Sequence, residues 1–369
     1  MIVRDEAAVV ERCIASVRDH IDAWVVCDTG STDGTQDLIR RALADVPGEL
    51  HERPWVSFGH NRSELLRLAR GRGDYLLLLD ADMTAEWIGD WPANPPDACL
   101  VRLPSDDVDY RLPLLVRSSL GWRSEGVTHE YLTTSDEHTS GPVDHVVVHH
   151  HLDGGMRADK FERDRDLLLA DWERRPSERT AFYLAQTYRD LGDWEEAVRW
   201  YERRAEMGGF DEEVFFARFQ AGVGRAELGD WAGGLTGLIA AWESRPARLE
   251  PLYELVSRLR LRGEYHTAHA LALRGLDRPI PGDILFVYPW VYRWGLLFEY
   301  SITAYWVGEL RAAFDACERL LALPDLPEPY RAQTRENKNH TLRAIAAAEG
   351  SVSVRPRPGP ASSSTAGRS

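Results

Sequence analysis

Residues 75–82 combine an uninterrupted apolar run with two closely spaced aspartates. The run is too short for a stable helix, so it predicts a buried parallel strand. Asp80 and Asp82 end this strand, with the small Ala81 between them. Ligands of open α/β sheets bind outside the carboxyl ends of the strands, where two carboxylates suit a divalent cation and, through it, a diphosphate. The alternative is a strand that ends in a solvated acidic turn.

Composition excludes several classes of protein. A chain of 369 residues with 44% hydrophobic and 28% charged residues is typical of a globular protein with two domains. The formal charge of −15 argues against a nucleic-acid partner, and no apolar run approaches the roughly 20 residues of a membrane span. The first residues contain no apolar signal core, and the four cysteines lack the spacing of a zinc site or a disulfide framework. These features predict a cytoplasmic location.

Short apolar segments alternate with helical patterns through the first part of the chain. Strands are predicted at residues 23–27 and 49–53, and helices at 7–17, 36–43 and 59–69. A turn rich in Ser, Thr, Asp and Gly precedes the second helix and supplies good caps for it. The alternation predicts an α/β domain with a mostly parallel sheet of the nucleotide-binding kind.

Four motifs in this part resemble those of glycosyltransferase family 2, whose members have the GT-A fold. They are Arg4-Asp5-Glu6, residues 26–35, His60-Asn61-Arg62 and Asp80-Ala81-Asp82. The resemblance implies a nucleotide-diphosphate sugar as donor, with a UDP-sugar favoured, and Mn²⁺ or Mg²⁺ as cofactor.

The resemblance also implies roles for individual residues. Asp28 matches the aspartate that hydrogen-bonds the nucleotide base, and the two aspartates of the D-x-D motif match those that bind ribose and the metal. We therefore predict a nucleotide-sugar site made of Glu6, Asp28, Asn61, Arg62, Asp80 and Ala81, with Asp80 and Asp82 as metal ligands.

Two points of this match stay open. Arg62 is placed to pair with a phosphate or to stack on the base, but it also fits an exposed arginine at the start of a helix. Family members carry several apolar residues before the segment matched by residues 1–6. Either the true start lies upstream or the first strand is shortened here.

A second group of candidate residues follows two further predicted strands, at residues 99–103 and 112–117. Residues 122–130 form a W-x-x-x-G-x-x-H-E pattern that is similar to the acceptor segment of these transferases. The similarity implies that Glu130 is the general base that deprotonates the acceptor, with His129 orienting it or binding phosphate. The alternative is a pair of surface groups at a strand end.

Three consecutive histidines leave the end of a predicted strand at residues 146–148. Alternation places His149 and His151 on one face of the strand and His150 on the other. GT-A enzymes often take a third metal ligand from a histidine near the end of the domain, and we favour His150, with His151 beside it. A zinc site would lack a fourth ligand, and a structural histidine cluster is the other alternative.

Basic residues follow the histidines, on a segment in which two consecutive glycines would act as a hinge. Arg157, Lys160 and Arg163 could close over a diphosphate, and His151, Arg157 and Lys160 are our candidates for that contact. A solvated basic helix face explains them equally well.

The second part of the chain is a helical repeat. Gly192, Gly229, Gly263 and Gly308 recur at intervals of 37, 34 and 45 residues, each followed two residues later by a large side chain. This spacing resembles that of tetratricopeptide repeats, with the glycine at the turn between two helices. The aromatic residues of the last unit, between residues 290 and 306, fit either a solenoid core or a platform for an acceptor.

These patterns predict three regions: a GT-A domain at residues 1–157, a helical repeat domain at 158–348 and a disordered tail at 349–369. The favoured function is an inverting, metal-dependent hexosyltransferase whose acceptor is a peptide, a glycan or a metabolite, without nucleic-acid partners or a membrane span. The alternative is a scaffold with a catalytically silent α/β domain. The sugar, the acceptor atom and the assembly state stay open, with a homodimer among the options.

Overall fold

The computed structural model describes residues 1–104, 110–154 and 160–352. The chain forms two compact units. The first takes in Met1–Ser244 together with Gly282–Val287, and the second takes in Arg245–Pro281 and the chain from Tyr288 onward.

The first unit begins with a three-stranded parallel sheet. Its strands are β1 (Ile2–Val3), β2 (Trp24–Asp28) and β3 (Gly48–Glu52), which pair in that order. Helices α1 (Val10–Val17) and α2 (Thr35–Ala42) connect them. This confirms the predicted alternation of short strands and helices in an α/β domain.

Helix α1 is buried because apolar side chains recur along it at helical spacing. Val10 and Ile14 pack against the first sheet with Val26 and Ile39, while Cys13 and Val17 belong to the core of a second sheet. The helix therefore packs against both sheets.

The second sheet has five strands in the order β4-β7-β6-β10-β5. Four of them, in chain order, are β4 (Tyr75–Leu77), β5 (Met83–Trp87), β6 (Ala98–Leu103) and β7 (Tyr110–Arg117). The fifth is the long β10 (Ser140–His150). The core of this five-stranded sheet is apolar and includes Val101 and Val146, both fully buried.

This second sheet departs from the largely parallel arrangement that the sequence predicts. Strand β10 pairs parallel with β6, but it is antiparallel to β5, and β7 is antiparallel to both β4 and β6. The prediction of a parallel strand at residues 75–79 is wrong in this respect, because β4 pairs with β7, a strand much later in the chain, rather than with a strand that a helical crossover joins to it.

A helix and a small hairpin complete the α/β part. Helix α3 (Phe58–Ala69) begins at the cap residue Ser57, whose hydroxyl accepts a hydrogen bond from the His60 amide. Strands β8 (Arg123–Glu125) and β9 (Tyr131–Thr133) pair antiparallel, and the loop between them contacts α3. A side chain at Gly59 would lie 2.2 Å from the Gly126 carbonyl oxygen, so the helix approaches this loop as closely as its backbone allows.

Helices follow from residue 160 onward. The first unit contains α4 (Lys160–Arg174), α5 (Glu178–Asp190), α6 (Trp194–Met207), α7 (Asp211–Glu227) and α8 (Trp231–Ser244). The second unit contains α9 (Glu250–Leu261), α10 (Tyr265–Gly275), α11 (Leu296–Trp306), α12 (Leu310–Ala322) and α13 (Glu328–Val352). None of the described helices is long and apolar enough to cross a membrane.

The predicted region boundaries stay predictions, although the elements lie close to them. Strand β10 ends at His150 and α4 begins at Lys160, on either side of the 157/158 boundary. Helix α13 continues to Val352 and so includes the first four residues of the predicted tail, and residues 353–369 lie outside the described residues.

Each repeat glycine lies between the two helices of a pair. Gly192, Gly229, Gly263 and Gly308 all have φ between 79° and 87°. After Gly192, the Asp193 amide donates back to the Tyr188 carbonyl at 2.9 Å, which ends α5 in a Schellman turn. On the helices that follow these glycines, the small residues Ala197, Ala268 and Ala313 are fully buried. The helical-hairpin repeat is therefore confirmed.

The turn glycines give a stability prediction. Gly192→Ala should destabilise the first unit by about 1–2 kcal/mol, because the residue has left-handed φ while its missing side chain faces open space. Gly282→Ala is the matched control, since its side chain also meets nothing within 4 Å but its backbone is not left-handed. Denaturant titration should show a lower midpoint for the first variant alone. Equal midpoints would contradict a conformational role for the glycine.

Candidate functional site

A cavity of about 330 Å³ opens at the carboxyl ends of β1, β2 and β4 in the first unit. Several predicted site residues line it: Glu6, Arg62 and the three residues of the D-x-D motif. His150 from the end of β10 and Lys160 from the start of α4 also line it. The alternating chain therefore brings together residues that lie up to 154 positions apart in the sequence.

Arg62 links two of the predicted carboxylates. Its Nη2 donates to Asp80 Oδ1 at 3.1 Å, and its Nε donates to Glu130 Oε1 at 2.7 Å. Burial disfavours the charged guanidinium, but the two carboxylates outweigh it and raise the pKa of Arg62. The alternative of an exposed helix-start arginine does not fit a side chain that is 16% exposed.

Asp82 has a different set of partners. Its Oδ2 lies 3.1 Å from His150 Nε2 and 3.4 Å from the Gly154 amide nitrogen. Burial acts to raise the pKa of Asp82, but the His150 hydrogen bond and charge outweigh it and lower that pKa. The same hydrogen bond raises the pKa of His150. A side chain at Gly154 would lie 3.0 Å from Asp82, so this glycine allows the close approach.

The three histidines alternate as the strand pattern predicts. His150 faces the cavity, whereas His149 lies 2.9 Å from Glu86 and His151 lies 2.8 Å from the Thr84 hydroxyl, both on the other side of the β10–β5 pair. His151 therefore does not line the cavity in this structure. Its predicted contact with a diphosphate stays a prediction that this geometry does not favour.

Asp28 lies beneath the turn that follows β2. Its Oδ1 accepts hydrogen bonds from the Gly30 and Ser31 amides, each at 2.9 Å, and from Gln36 Nε2 at 3.0 Å. Burial opposes the charged carboxylate, but these hydrogen bonds outweigh it and lower the pKa of Asp28. The residue is 1% exposed and holds the turn, so a contact with a nucleotide base would require local opening.

Asn61 is also buried and structural in its contacts. Its side-chain oxygen accepts from the Val56 and Ser57 amides, and its nitrogen donates to the Pro54 carbonyl. The amide therefore organises the approach to α3. Its neighbour Arg62 reaches the cavity instead, one position further round the helix.

Glu130 and His129 lie on the β8–β9 loop. His129 has a left-handed φ of 49°, and its ring stacks on Tyr183 of α5 with centroids 4.3 Å apart. Although His129 as a residue is exposed, desolvation of its packed ring, together with Lys160 and Arg179, lowers the pKa of His129 to about 4. The lowered pKa disfavours the charged imidazolium, which is the form that would pair with a phosphate.

Two aromatic side chains that no sequence motif marks also line the cavity. Trp55 and Phe58 line it, and their rings meet edge to face at 4.7 Å. Arg163, also in the lining, lies over the Phe58 ring at 5.6 Å. In the sequence, the sign of this aromatic lining is that Trp55 and Phe58 follow shortly after the end of β3 at Glu52. The predicted contact of Arg157 lies outside the described residues.

The two aspartates predicted to bind a metal contact different side chains. Within residues 1–104, 110–154 and 160–352, no three His, Cys, Asp or Glu side chains are grouped to hold a metal ion. Asp80 is turned toward Arg62, and Asp82 toward His150. The Asp82–His150 pair is nevertheless a carboxylate and an imidazole at one edge of the cavity, which is a donor set that suits Mn²⁺.

The chain therefore has an α/β region, whose first sheet is parallel, followed by a helical repeat. Residues 1–86 match the family model described as "Glycosyl transferase family 2". The predicted resemblance is thus confirmed for this stretch. It contains Glu6, Asp28, Asn61, Arg62 and the D-x-D motif, but it ends before Glu130 and before the three histidines at residues 149–151.

A relative among curated proteins is the TPR repeat-containing protein of Synechococcus elongatus, which is 43% identical over 82 residues. The match spans 22% of this chain and 19% of that protein, or about a fifth of each.

Two of the solved structures that resemble this chain each cover about half of it. One is the C-terminal part of a TPR repeat-containing protein from Cytophaga hutchinsonii, with 14% identity, a TM-score of 0.40, and coverage of 49% of this chain and 67% of that one. Another is MamA from Desulfovibrio magneticus, with 15% identity, a TM-score of 0.32, and coverage of 47% and 96%. These similarities are too low to bear on function.

Proposed function

We propose that this protein is a metal-dependent, inverting glycosyltransferase of the hexosyltransferase type. The donor would be a nucleotide-diphosphate sugar, with a UDP-sugar favoured. The observation that carries the proposal is that Arg62, which lines the cavity, contacts both Asp80 in the cavity lining and Glu130 on the β8–β9 loop. This contact holds the first aspartate of the D-x-D motif close to the candidate base. Sugar transfer requires the donor and the acceptor to be held side by side in this way.

Asp80, Asp82 and His150 would hold the metal, Mn²⁺ or Mg²⁺. A bound divalent cation would neutralise charge on the departing diphosphate. Asp82 and His150 already face each other, while Asp80 offers Arg62 its Oδ1. Coordination by both aspartates then requires Asp80 to present its other oxygen or to exchange Arg62 for the cation.

The remaining cavity residues have roles that follow from their chemistry. Lys160 and Arg163 are cations at the edge where a diphosphate would bind, and Arg157 is a further candidate for that contact. Trp55 and Phe58 provide flat apolar surfaces for a base or a sugar ring.

Glu130 would act on the acceptor. Its carboxylate would take the proton from the acceptor nucleophile as that atom bonds to the anomeric carbon and the bond to the diphosphate oxygen breaks. A single displacement of this kind inverts the anomeric configuration. Arg62 fixes the direction of the Glu130 carboxylate, since the two share a hydrogen bond of 2.7 Å.

The acceptor would be a peptide or protein side chain, a glycan or a metabolite. Paired helices of a repeat present extended surfaces, which favours an acceptor larger than the sugar itself. The homodimer stays a prediction.

A second candidate function is a scaffold in which the α/β domain is catalytically silent. It is favoured because these charged side chains already pair with one another: Arg62 pairs with Asp80 and Glu130, and His150 pairs with Asp82. On this account the ion pairs only stabilise the fold, and the helical repeat binds a partner protein.

Turnover of the donor distinguishes the two functions. Glycosyltransferases often transfer sugar slowly to water, so the protein should be incubated with a panel of nucleotide sugars and Mn²⁺, and release of free nucleotide measured. We expect release from a UDP-sugar with Mn²⁺ and none with a chelator. No release from any donor in the panel, with or without metal, would favour the scaffold.

A further inference from the structure

Helix α5 of the repeat region contacts the loop that carries Glu130. The Arg179 guanidinium on α5 donates a hydrogen bond from Nη2 to the His129 carbonyl oxygen. The Tyr183 ring, one turn later on the same helix, lies parallel to the His129 ring, with an interplanar angle of 4°. Two side chains of one helix therefore hold the backbone and the ring of the residue before Glu130.

Arg179 is itself fixed between the helix and the hairpin. Its guanidinium lies 4.6 Å from the centre of the Tyr131 ring on β9 and 4.8 Å from that of Tyr183. Its Nη2 also lies 3.3 Å from the Tyr183 hydroxyl. A planar guanidinium between two aromatic rings has little freedom to move, so it holds residues 129–131 in one arrangement.

The loop requires such support because its backbone is strained. His129 has a φ of 49° and Gly126 a φ of 112°, both in the left-handed region. For a residue with a side chain this conformation costs on the order of 1 kcal/mol or more, and it persists where surrounding contacts enforce it. The contacts that α5 makes with His129 are of this kind.

The support reaches the donor cavity through short contacts. Glu130 follows His129 directly and accepts from Arg62 at 2.7 Å, and Arg62 donates to Asp80 at 3.1 Å. Helix α5, the loop and the cavity all belong to the first compact unit. Displacement of His129 would therefore displace the Glu130 carboxylate relative to the donor.

We infer that Arg179 and Tyr183 are positioning residues for Glu130, so that the first helix pair of the repeat is part of the catalytic unit. This inference rests on the proposed function, in which Glu130 is the base. Neither residue touches the donor cavity, and neither is a catalytic residue.

The kinetic test separates chemistry from donor binding. Arg179→Ala should lower kcat roughly tenfold to a hundredfold, because misplacing a reacting group by about 1 Å has effects of this size. KM for the donor should change less than about twofold. Tyr183→Leu should behave similarly, whereas Tyr183→Phe keeps the stacked ring and should retain most of kcat. Arg199→Ala removes an exposed ion pair with Glu196 on the neighbouring helix and is the control with unchanged kinetics.

A structural readout accompanies the kinetics. Amide hydrogen exchange in the peptide spanning residues 126–131 should become faster in Arg179→Ala, with protection of β2 and β10 unchanged. In Tyr183→Leu, histidine NMR should show the pKa of His129 rising from about 4 toward its usual value near 6.5.

The outcomes are distinct. If the unaltered protein turns over no donor, the proposed function fails and the inference falls with it. If that protein is active and Arg179→Ala has unchanged kcat, or loses donor affinity as much as kcat, only the positioning role is overturned. Unchanged exchange at residues 126–131 in Arg179→Ala would also overturn it.

Discussion

Asp82→Asn is expected to reduce sugar transfer at least a hundredfold and to remove most of the effect of Mn²⁺ on nucleotide binding. The substitution keeps the shape of the side chain and an oxygen that can accept from His150, but it removes the negative charge. A metal supplies several kcal/mol of charge stabilisation to a departing group, and each 1.4 kcal/mol is a factor of ten in rate. Steady-state release of the nucleotide, with and without Mn²⁺, measures the effect.

The chain provides a matched control for this variant. Glu86 and His149 form a second carboxylate–histidine pair, at 2.9 Å, on the opposite side of the same two strands. Glu86→Gln should leave the rate and its Mn²⁺ dependence unchanged. Equal losses in both variants would indicate a general effect on the sheet, and full activity in Asp82→Asn would remove Asp82 from the metal site.

Glu130→Gln is expected to retain donor binding and to lose transfer by roughly a hundredfold to ten-thousandfold, the usual contribution of a general base. The glutamine can still accept from Arg62 through its side-chain oxygen, so the link to Asp80 is preserved. It cannot accept the proton of the acceptor. Transfer should be measured by mass spectrometry with a defined acceptor, and nucleotide affinity by calorimetry.

A nearby carboxylate serves as the comparison. Glu125 hydrogen-bonds Arg123 and Tyr131 within the hairpin and does not contact Arg62. Glu125→Gln should transfer sugar normally. Normal transfer by Glu130→Gln would exclude it as the base, whereas a loss of nucleotide affinity would assign it to donor binding.

The parts of the fold that local patterns specify were predictable. Helix α1, strand β2 and the turn glycine Gly192 follow from apolar spacing and backbone preference, which act within a few residues. Strand alternation likewise separated His150 from His149 and His151.

Pairing partners were not predictable in the same way. The apolar run at residues 75–79 has the composition of a buried parallel strand, but β4 pairs antiparallel with β7, which lies 33 or more residues further along the chain. The choice of pairing partner depends on long-range packing. Strand β5 was also not predicted, although Met83–Trp87 alternates apolar and polar residues as a half-buried strand does.

Residue roles within the site were predictable only in part. The D-x-D pair, Arg62 and His150 line one cavity, yet Asn61 from the same motif is buried in the start of α3. Trp55 was overlooked because no motif marks it. The contacts of Arg179 with the Glu130 loop join residues 50 positions apart, from regions that the sequence divides into separate domains.

Calorimetric titration of UDP into the unaltered protein tests the central claim most directly, because it requires neither the sugar nor the acceptor. In the presence of Mn²⁺ we expect saturable binding with one site per chain, and in the presence of a chelator we expect that binding to weaken at least tenfold. Absence of UDP binding under both conditions, or the same affinity with and without Mn²⁺, would contradict a metal–diphosphate site at Asp80, Asp82 and His150.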